Sequence, residues 1–359
     1  MNNRLRVAVV GCGIGRGHVR AFHMLPDYYD VRAVCDLDEN KARSVAEEFE
    51  VNSICTDFKE LLKMEDVQIV DICTPSYLHF QQILEALAAG KHVIAEKPVC
   101  GSLKEMDELI SAQAQTGLRL MPIFQSRFGV GVQKLKLLVD KGISGPAYLA
   151  TTETHWRRRM DYYTWHGKWK TELGGPVVTL AIHAHDILNF VLGKAKSVFA
   201  RMSTRVNPIE TEDCVSASVE LENGALASLS VTTGSVVQIT RHRMIFKNMV
   251  AESPTAPHAS TSDPWNFTGD TPEHSERIEK ALAEFSPKPE GFPGQFLGFY
   301  HAFQSGGKMP VTLADARNSI ELITALYASA RMQQSIDLPI TSDHPYYEGW
   351  QQFMESRSP

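Results

Sequence analysis

Two stretches of this chain concentrate residues that can move protons or stabilise charge. The first is Ala95-Glu96-Lys97-Pro98, closing an apolar run over residues 92–95. The exit of a buried strand is where an α/β fold displays chemistry. A lysine becomes useful for proton transfer when it is partly desolvated. Here Glu96 sets a carboxylate beside it, and Pro98 removes a backbone donor and fixes the chain direction. The second stretch starts at Gly174-Gly175-Pro176 and runs through Thr179, His183, His185 and Asp186 to Leu192. Proline after paired glycines predicts a helix opening at Pro176. On one continuous helix Thr179, His183 and Asp186 fall at i, i+4 and i+7 and share a face, with His185 turned away. Taken alone, His183 reads more readily as a core histidine bonded to a carbonyl than as a catalytic group.

A third stretch suits phosphate binding. Gly11-Cys12-Gly13-Ile14-Gly15-Arg16-Gly17-His18 follows the first apolar run directly. Glycines let backbone amides approach a pyrophosphate closely. The match to GxGxxG is imperfect, since Arg16 takes the third position and Gly15 precedes it. A tight strand-to-helix turn would look the same. Asp36, ending a second apolar run, stands where an acid bonds the adenosine ribose of a dinucleotide. Its charge repels a 2′-phosphate and Leu37 supplies no compensating cation, which favours NAD over NADP. Asp36 also has a structural reading, as the cap of a helix beginning near Glu39.

The elements that would position these residues follow from periodicity. Apolar runs at residues 5–10, 31–35, 67–73, 92–95 and 118–123 alternate with helix-length segments, one over 80–89. That order predicts a doubly wound parallel sheet, with a first domain spanning 1–124. After a helix around 130–139, the pattern in the second domain, 125–359, turns to alternating stretches at 198–206, 215–221 and 225–232. With the Asn223-Gly224 turn these predict an antiparallel sheet. Residues 253–293 hold seven of the 18 prolines. We expect irregular structure there, with a short helix near 276–283, as a lid or subunit contact. The segment 314–332 reads as an amphipathic helix, and the aromatic tail 345–350 as a surface packed on a neighbouring domain or subunit.

At 359 residues the chain exceeds what one core usually supports, about 250 residues. Its 36 basic and 42 acidic residues leave no broad basic footprint, which argues against nucleic acid or an anionic membrane as partner. Cys12, Cys35, Cys55, Cys73, Cys100 and Cys214 form no CxxC pair, so neither a metal site nor a disulfide framework is expected. Reduced thiols, no signal peptide and no membrane-length apolar run point to a cytoplasmic location.

In order and over nearly the whole chain, these motifs resemble the Gfo/Idh/MocA (glucose-fructose oxidoreductase / inositol dehydrogenase) family: the loop 11–18, Asp36, Cys73-Thr74-Pro75 with His79, Ala95-Glu96-Lys97-Pro98, and the glycine-opened helix with His183. The resemblance implies an α/β protein with an N-terminal Rossmann domain and a C-terminal α/β domain built on an open, mostly antiparallel sheet. Homo-oligomers, dimeric or tetrameric, form through that sheet in many members. By position, Lys97 would contact the reacting hydroxyl and His183 would serve as general acid/base. Glu96 would lie near the nicotinamide ribose, and Thr74, Pro75 and His79 would line the cofactor. The expected NAD-binding set is Gly11, Gly13, Ile14, Gly15, Arg16, Asp36, Thr74, Pro75, His79, Glu96, Lys97 and Gln125. A base for the hydroxyl proton and a cation for the developing alkoxide are what alcohol oxidation needs. Inositol-dehydrogenase-like members usually carry aspartate four residues before the histidine, where this chain has Thr179. Asp186 is the candidate to take part of that role.

The segment 155–169 interleaves aromatic and basic residues ahead of the histidine helix. We expect it to form a substrate wall, with Trp165 covering a sugar ring and Arg157, His166 or Lys168 bonding hydroxyls or an acidic group; loop packing is the structural alternative. The expected activity is NAD-dependent oxidation of a secondary hydroxyl of a sugar, cyclitol or sugar acid. An NAD-retaining enzyme that cleaves or rearranges glycosides by transient oxidation is one alternative. A non-catalytic NAD/sugar sensor is another, against which the presence of both Lys97 and His183 argues.

Overall fold

The computed structural model describes residues 4–164 and 166–355, and divides them into two compact units. In the first, six short apolar runs form a wholly parallel sheet: β1 (Leu5–Val10), β2 (Tyr29–Cys35), β3 (Ser53–Cys55), β4 (Ile69–Ile72), β5 (His92–Ala95) and β6 (Leu120–Pro122), in the order β3-β2-β1-β4-β5-β6. Both faces are covered, which is why β1, β4, β5 and β6 are almost continuously buried instead of alternating. Val7, Val9, Ile69, Val70, Val93 and Ile94 are fully buried. Strand order reverses between β1 and β4, so their carboxyl ends frame the crevice where open α/β sheets bind ligands.

This unit comprises residues up to Gln125 and also Gly291–Arg317, which the division at residue 124 had assigned to the second domain. Long-range aromatic packing accounts for the difference. On the helix Gly291–Ser305, Phe296 stacks on Phe22 at 4.1 Å and its carbonyl accepts the Tyr29 hydroxyl at 2.7 Å. The Gln295 side-chain amide accepts the Phe124 N–H at 3.1 Å and donates to the Pro122 carbonyl at 2.7 Å.

The second unit, Ser126–Glu290 with Asn318–Pro359, carries a mixed sheet of eight strands. They are β7 (Ala147–Arg157), β8 (Ala195–Ser203), β9 (Cys214–Leu221), β10 (Leu226–Thr232), β11 (Gly234–Phe246), β12 (Met249–Glu252), β13 (Asn266–Gly269) and β14 (Ile336–Asp337), in the order β13-β12-β11-β7-β10-β9-β8-β14. Only β7 and β10 pair in parallel. At the β9–β10 turn Gly224 takes φ +85°, the left-handed conformation that suits glycine. Along β8 to β10, Val198, Ala200, Val215, Ala217, Val219, Ala227, Leu229 and Val231 face the core, while the intervening residues are half-buried or exposed.

One sequence expectation is extended and one corrected. The helix expected near 276–283 is present and begins earlier, as Pro272–Ala283, capped by the Thr271 hydroxyl accepting the His274 N–H, with proline at N1; the proline-rich segment also holds β13. The aromatic tail packs within its own unit. Trp350 is wholly buried, stacks on Tyr327 at 5.5 Å and donates its indole N–H to the Leu173 carbonyl at 2.6 Å. Among the described residues no single helix is long and apolar enough to cross a membrane.

Candidate active site

At the β1 exit, Gly11 takes φ +92°, and a Cβ there would fall 2.5 Å from the Cys73 carbonyl oxygen. Only glycine lets the loop cross so close to the β4 exit. The third glycine role, close helix–strand packing, belongs to Gly15: a Cβ would meet Val9 at 2.9 Å and Cys73 at 3.2 Å, and the helix Gly15–His23 starts there. Gly13 has open space around it, while Ile14 and Arg16 are exposed. Arg16 forms an ion pair with Glu48.

Asp36 does not cap the following helix. Asp38 does, through Oδ1, which accepts the Asn40 N–H at 3.0 Å and the Lys41 N–H at 3.4 Å. The Asp36 carboxylate instead accepts the Cys12 N–H at 2.8 Å and the Asp38 N–H at 2.9 Å. It therefore joins the β2 exit to the glycine loop, with Leu37 beside it 87% exposed.

At the β4 exit, Thr74 and Pro75 are half-buried, and the Thr74 hydroxyl donates to Gln82 at 2.6 Å. His79 is buried between the Thr74 and Pro98 carbonyls, at 2.7 Å from each, so one ring ties the β4 exit to the β5 exit. Gln125, following β6, has a buried side-chain oxygen with no hydrogen-bond partner in the protein. That orphaned acceptor, the open space at Gly13 and the carboxylate at Asp36 fit a nicotinamide dinucleotide across the crevice.

At the β5 exit Lys97 is half-buried, while Glu96 is only 5% exposed. Glu96 Oε2 accepts the Lys97 backbone N–H at 3.0 Å, and Oε1 lies 3.1 Å from His18 Nε2. His18 Nδ1 lies 2.8 Å from Asp71 Oδ2 and 3.3 Å from Cys73 Sγ. These three side chains bring metal-type donor atoms within 4.8 Å of one another. Their mutual hydrogen bonds account for that closeness, and burial followed by the Asp71 charge raises the Cys73 thiol, keeping it protonated.

In the second unit the expected single helix is broken. A short helix Pro176–Thr179 ends and a second, Ile182–Leu192, begins; the segment Trp169–Thr179 as a whole meets that second helix at a bend of 47°. Thr179 and His183 therefore sit on different helical segments, and the shared face assumed for Thr179, His183 and Asp186 is not formed. Both Thr179 and His183 are half-buried. The Thr179 hydroxyl donates to the Gly175 carbonyl at 3.1 Å. Asp186, expected to help with substrate, is fully buried and takes both Arg127 donors, Nε at 2.6 Å and Nη2 at 2.5 Å. A bidentate pair of this kind fixes the helix and leaves the carboxylate no path to substrate. Burial, reinforced by His242, lowers His185 to about 4, so it stays neutral.

Glu212, which no motif announced, explains the paired glycines. Its carboxylate accepts the Gly175 N–H at 3.0 Å, the Val177 N–H at 3.2 Å and the Tyr327 hydroxyl at 2.9 Å. A Cβ at Gly174 would lie 2.4 Å from that hydroxyl, and one at Gly175 2.1 Å from the Glu212 carbonyl oxygen. Burial pushes Glu212 up to about 7 against the pull of its donors. Of the segment expected to face substrate, Arg157 is exposed, and His166 stacks on Tyr162 at 4.0 Å with Nδ1 2.8 Å from the Tyr162 carbonyl. Trp165 lies outside the described residues.

Residues 5–124 match the model of the oxidoreductase family with an NAD-binding Rossmann fold, and residues 132–245 match the GFO/IDH/MocA C-terminal domain. The uncharacterised oxidoreductase YrbE of Bacillus subtilis is 26% identical over 96% of this chain and 98% of its own length. D-glucoside 3-dehydrogenase of Escherichia coli is 26% identical over 93% and 97%. The WlbA dehydrogenase of Bordetella pertussis, solved with NADH and UDP-GlcNAcA, superposes with a TM-score of 0.83 at 25% identity, covering 94% of this chain and all of that one.

Proposed function

Because this chain belongs to the Gfo/Idh/MocA family of NAD-binding oxidoreductases, we propose that Lys97 and His183 carry out oxidation of a secondary hydroxyl on a sugar, cyclitol or sugar acid. The protein is an oxidoreductase of CH–OH groups with NAD as cofactor. One observation carries the assignment of roles. Lys97 and His183 are left half-buried while Glu96 and Asp186, which flank them, are withdrawn into buried bonds. His183 accepts the hydroxyl proton, and the Lys97 ammonium stabilises the oxygen as negative charge grows on it. Thr179 offers a hydroxyl for orienting substrate and no charge, so His183 acts without the adjacent carboxylate usual in inositol-dehydrogenase-like members.

The backbone of Gly11 to Gly15 and the side chains of Asp36, Thr74, Pro75 and Gln125 hold the dinucleotide, which when bound supplies the hydride acceptor. Arg157 and His166 bind the polar groups of the substrate. D-glucoside 3-dehydrogenase and the complex of WlbA with a nucleotide-linked sugar acid support the substrate class. The test is NADH absorbance across a panel of sugars, glucosides, polyols and sugar acids, in NAD and in NADP. Turnover on one member with NAD is expected, and turnover only with NADP overturns the role given to Asp36.

A second copy of the chain is the occupant we assign to the open face of the sheet in the second unit. Leu149, Phe199 and Leu226 are exposed there, with both signs of charge nearby in Glu153, Arg241, Arg201 and Glu220, a mixture that is self-complementary under two-fold symmetry. Light scattering should give a dimer or tetramer that Phe199→Asp with Leu226→Asp dissociates; a monomeric wild type rules this out. All six cysteines are free, which fits a reducing compartment.

A further inference from the structure

His18 is wholly buried, and each of its ring nitrogens meets a carboxylate: Nδ1 at 2.8 Å from Asp71 and Nε2 at 3.1 Å from Glu96. An ionised carboxylate only accepts hydrogen bonds, and a neutral imidazole has a single N–H. Satisfying both contacts with ionised partners requires two N–H groups on the ring. The other groups around it are the Cys73 thiol at 3.3 Å and the rings of Phe292 and Phe296, at 4.3 Å and 5.4 Å between centroids. We propose that His18 is a positioning residue for Lys97: as an imidazolium it clamps Asp71 and Glu96, and through the Glu96 bond to the Lys97 N–H it fixes the turn that presents the lysine. Burial alone would lower the histidine, but the charge of the facing Asp71 carboxylate and its hydrogen bond hold the ring well above its ordinary value. The bonded sequence Asp71–His18–Glu96–Lys97 thus connects the β4 strand, the first helix and the β5 exit within one unit. This rests on the role proposed for Lys97.

Two variants separate the two arms of the clamp. His18→Gln can place its amide near the Nε2 position and keep a donor on Glu96, whereas His18→Asn can serve only Asp71. With NAD and the substrate found in the panel above, His18→Asn is expected to lose about 10- to 100-fold in kcat, the scale of a misplaced reacting group, with the dissociation constant for NADH unchanged. His18→Gln should recover part of that loss. Amide exchange at Lys97 should be slow in the wild type, faster in His18→Asn and intermediate in His18→Gln. Nitrogen NMR of the wild type, which needs no variant to fold, should show both His18 ring nitrogens still protonated above pH 6.5, where an ordinary imidazole is mostly neutral. An unprotonated ring nitrogen in that range, as a protonated Asp71 would give, overturns the proposal. So does full turnover in His18→Asn. If Lys97→Ala keeps full activity while His18 is doubly protonated and the Lys97 amide protected, it is the role of Lys97 that fails and not the clamp.

Discussion

Lys97 and the His183 helix are both held by buried carboxylates, yet the two anchors are built differently. In the first unit the carboxylates meet a side chain, and Asp71 and Glu96 close on His18. In the second, Glu212 meets backbone amides at Gly175 and Val177, and Asp186 meets Arg127 farther along. A strand exit is already rigid, since β5 is paired on both sides, so one bond from Glu96 suffices to set the lysine's backbone. The short helix Pro176–Thr179 has no strand pairing to set its start. Its first amides have no intrahelical acceptors, and Glu212 supplies them.

The largest effect should come from removing the residues presented. Lys97→Ala and His183→Ala should each lower kcat by about 10²- to 10⁴-fold with NADH affinity kept, as single-turnover and binding measurements would show. An active Lys97→Ala enzyme would refute the mechanism. Next comes Arg127→Met, which strands Asp186 as a buried charge and should cost about 3–5 kcal/mol in urea unfolding. Arg127→Met with Asp186→Leu should return much of it, because the pair is replaced and not halved.

The pH dependence of stability separates the anchors further. Glu212 has a folded pKa raised from 4.5 to about 7, so the fold holds more protons than the unfolded chain in that window and stability falls as pH rises through it. Glu212→Gln should flatten this slope. His18 is also raised, from 6.5, so its contribution is fully present below pH 6.5 and is lost as pH climbs through its folded value. His18→Gln should flatten the profile only above pH 6.5. Melting curves from pH 4.5 to 9 test both, and matching windows for the two variants would break the distinction. The smallest effect is expected at Thr179→Ala, less than about tenfold in KM, since that hydroxyl already bonds the Gly175 carbonyl.

Much of the first anchor was legible in the sequence, because parallel strands and their exits are local and periodic. Apolar runs marked five of the six strands, and the candidate residues stood directly after them; β3, three half-buried residues, left no such run. The glycine loop was legible too, although the departure at Arg16 was settled by close packing of Gly15 on Val9 and Cys73. The second anchor was hidden. Glu212 is about 37 residues from the glycines it holds and carries no motif of its own. Asp186 looked like a substrate residue only while the helix was assumed continuous.

Sequence by itself determined the order of the strand exits, the placement of Lys97 after β5 and of His183 after the paired glycines, and an acid, Asp36, at the end of β2. These depend on covalent order, on side-chain period and on the sign of one charge. Tertiary structure decided which carboxylates are spent inside the fold and which groups stay accessible. Glu96, Asp186 and Glu212 are acids of similar intrinsic pKa, and only the partners brought to them by packing make one a clamp, one a salt bridge and one a cap.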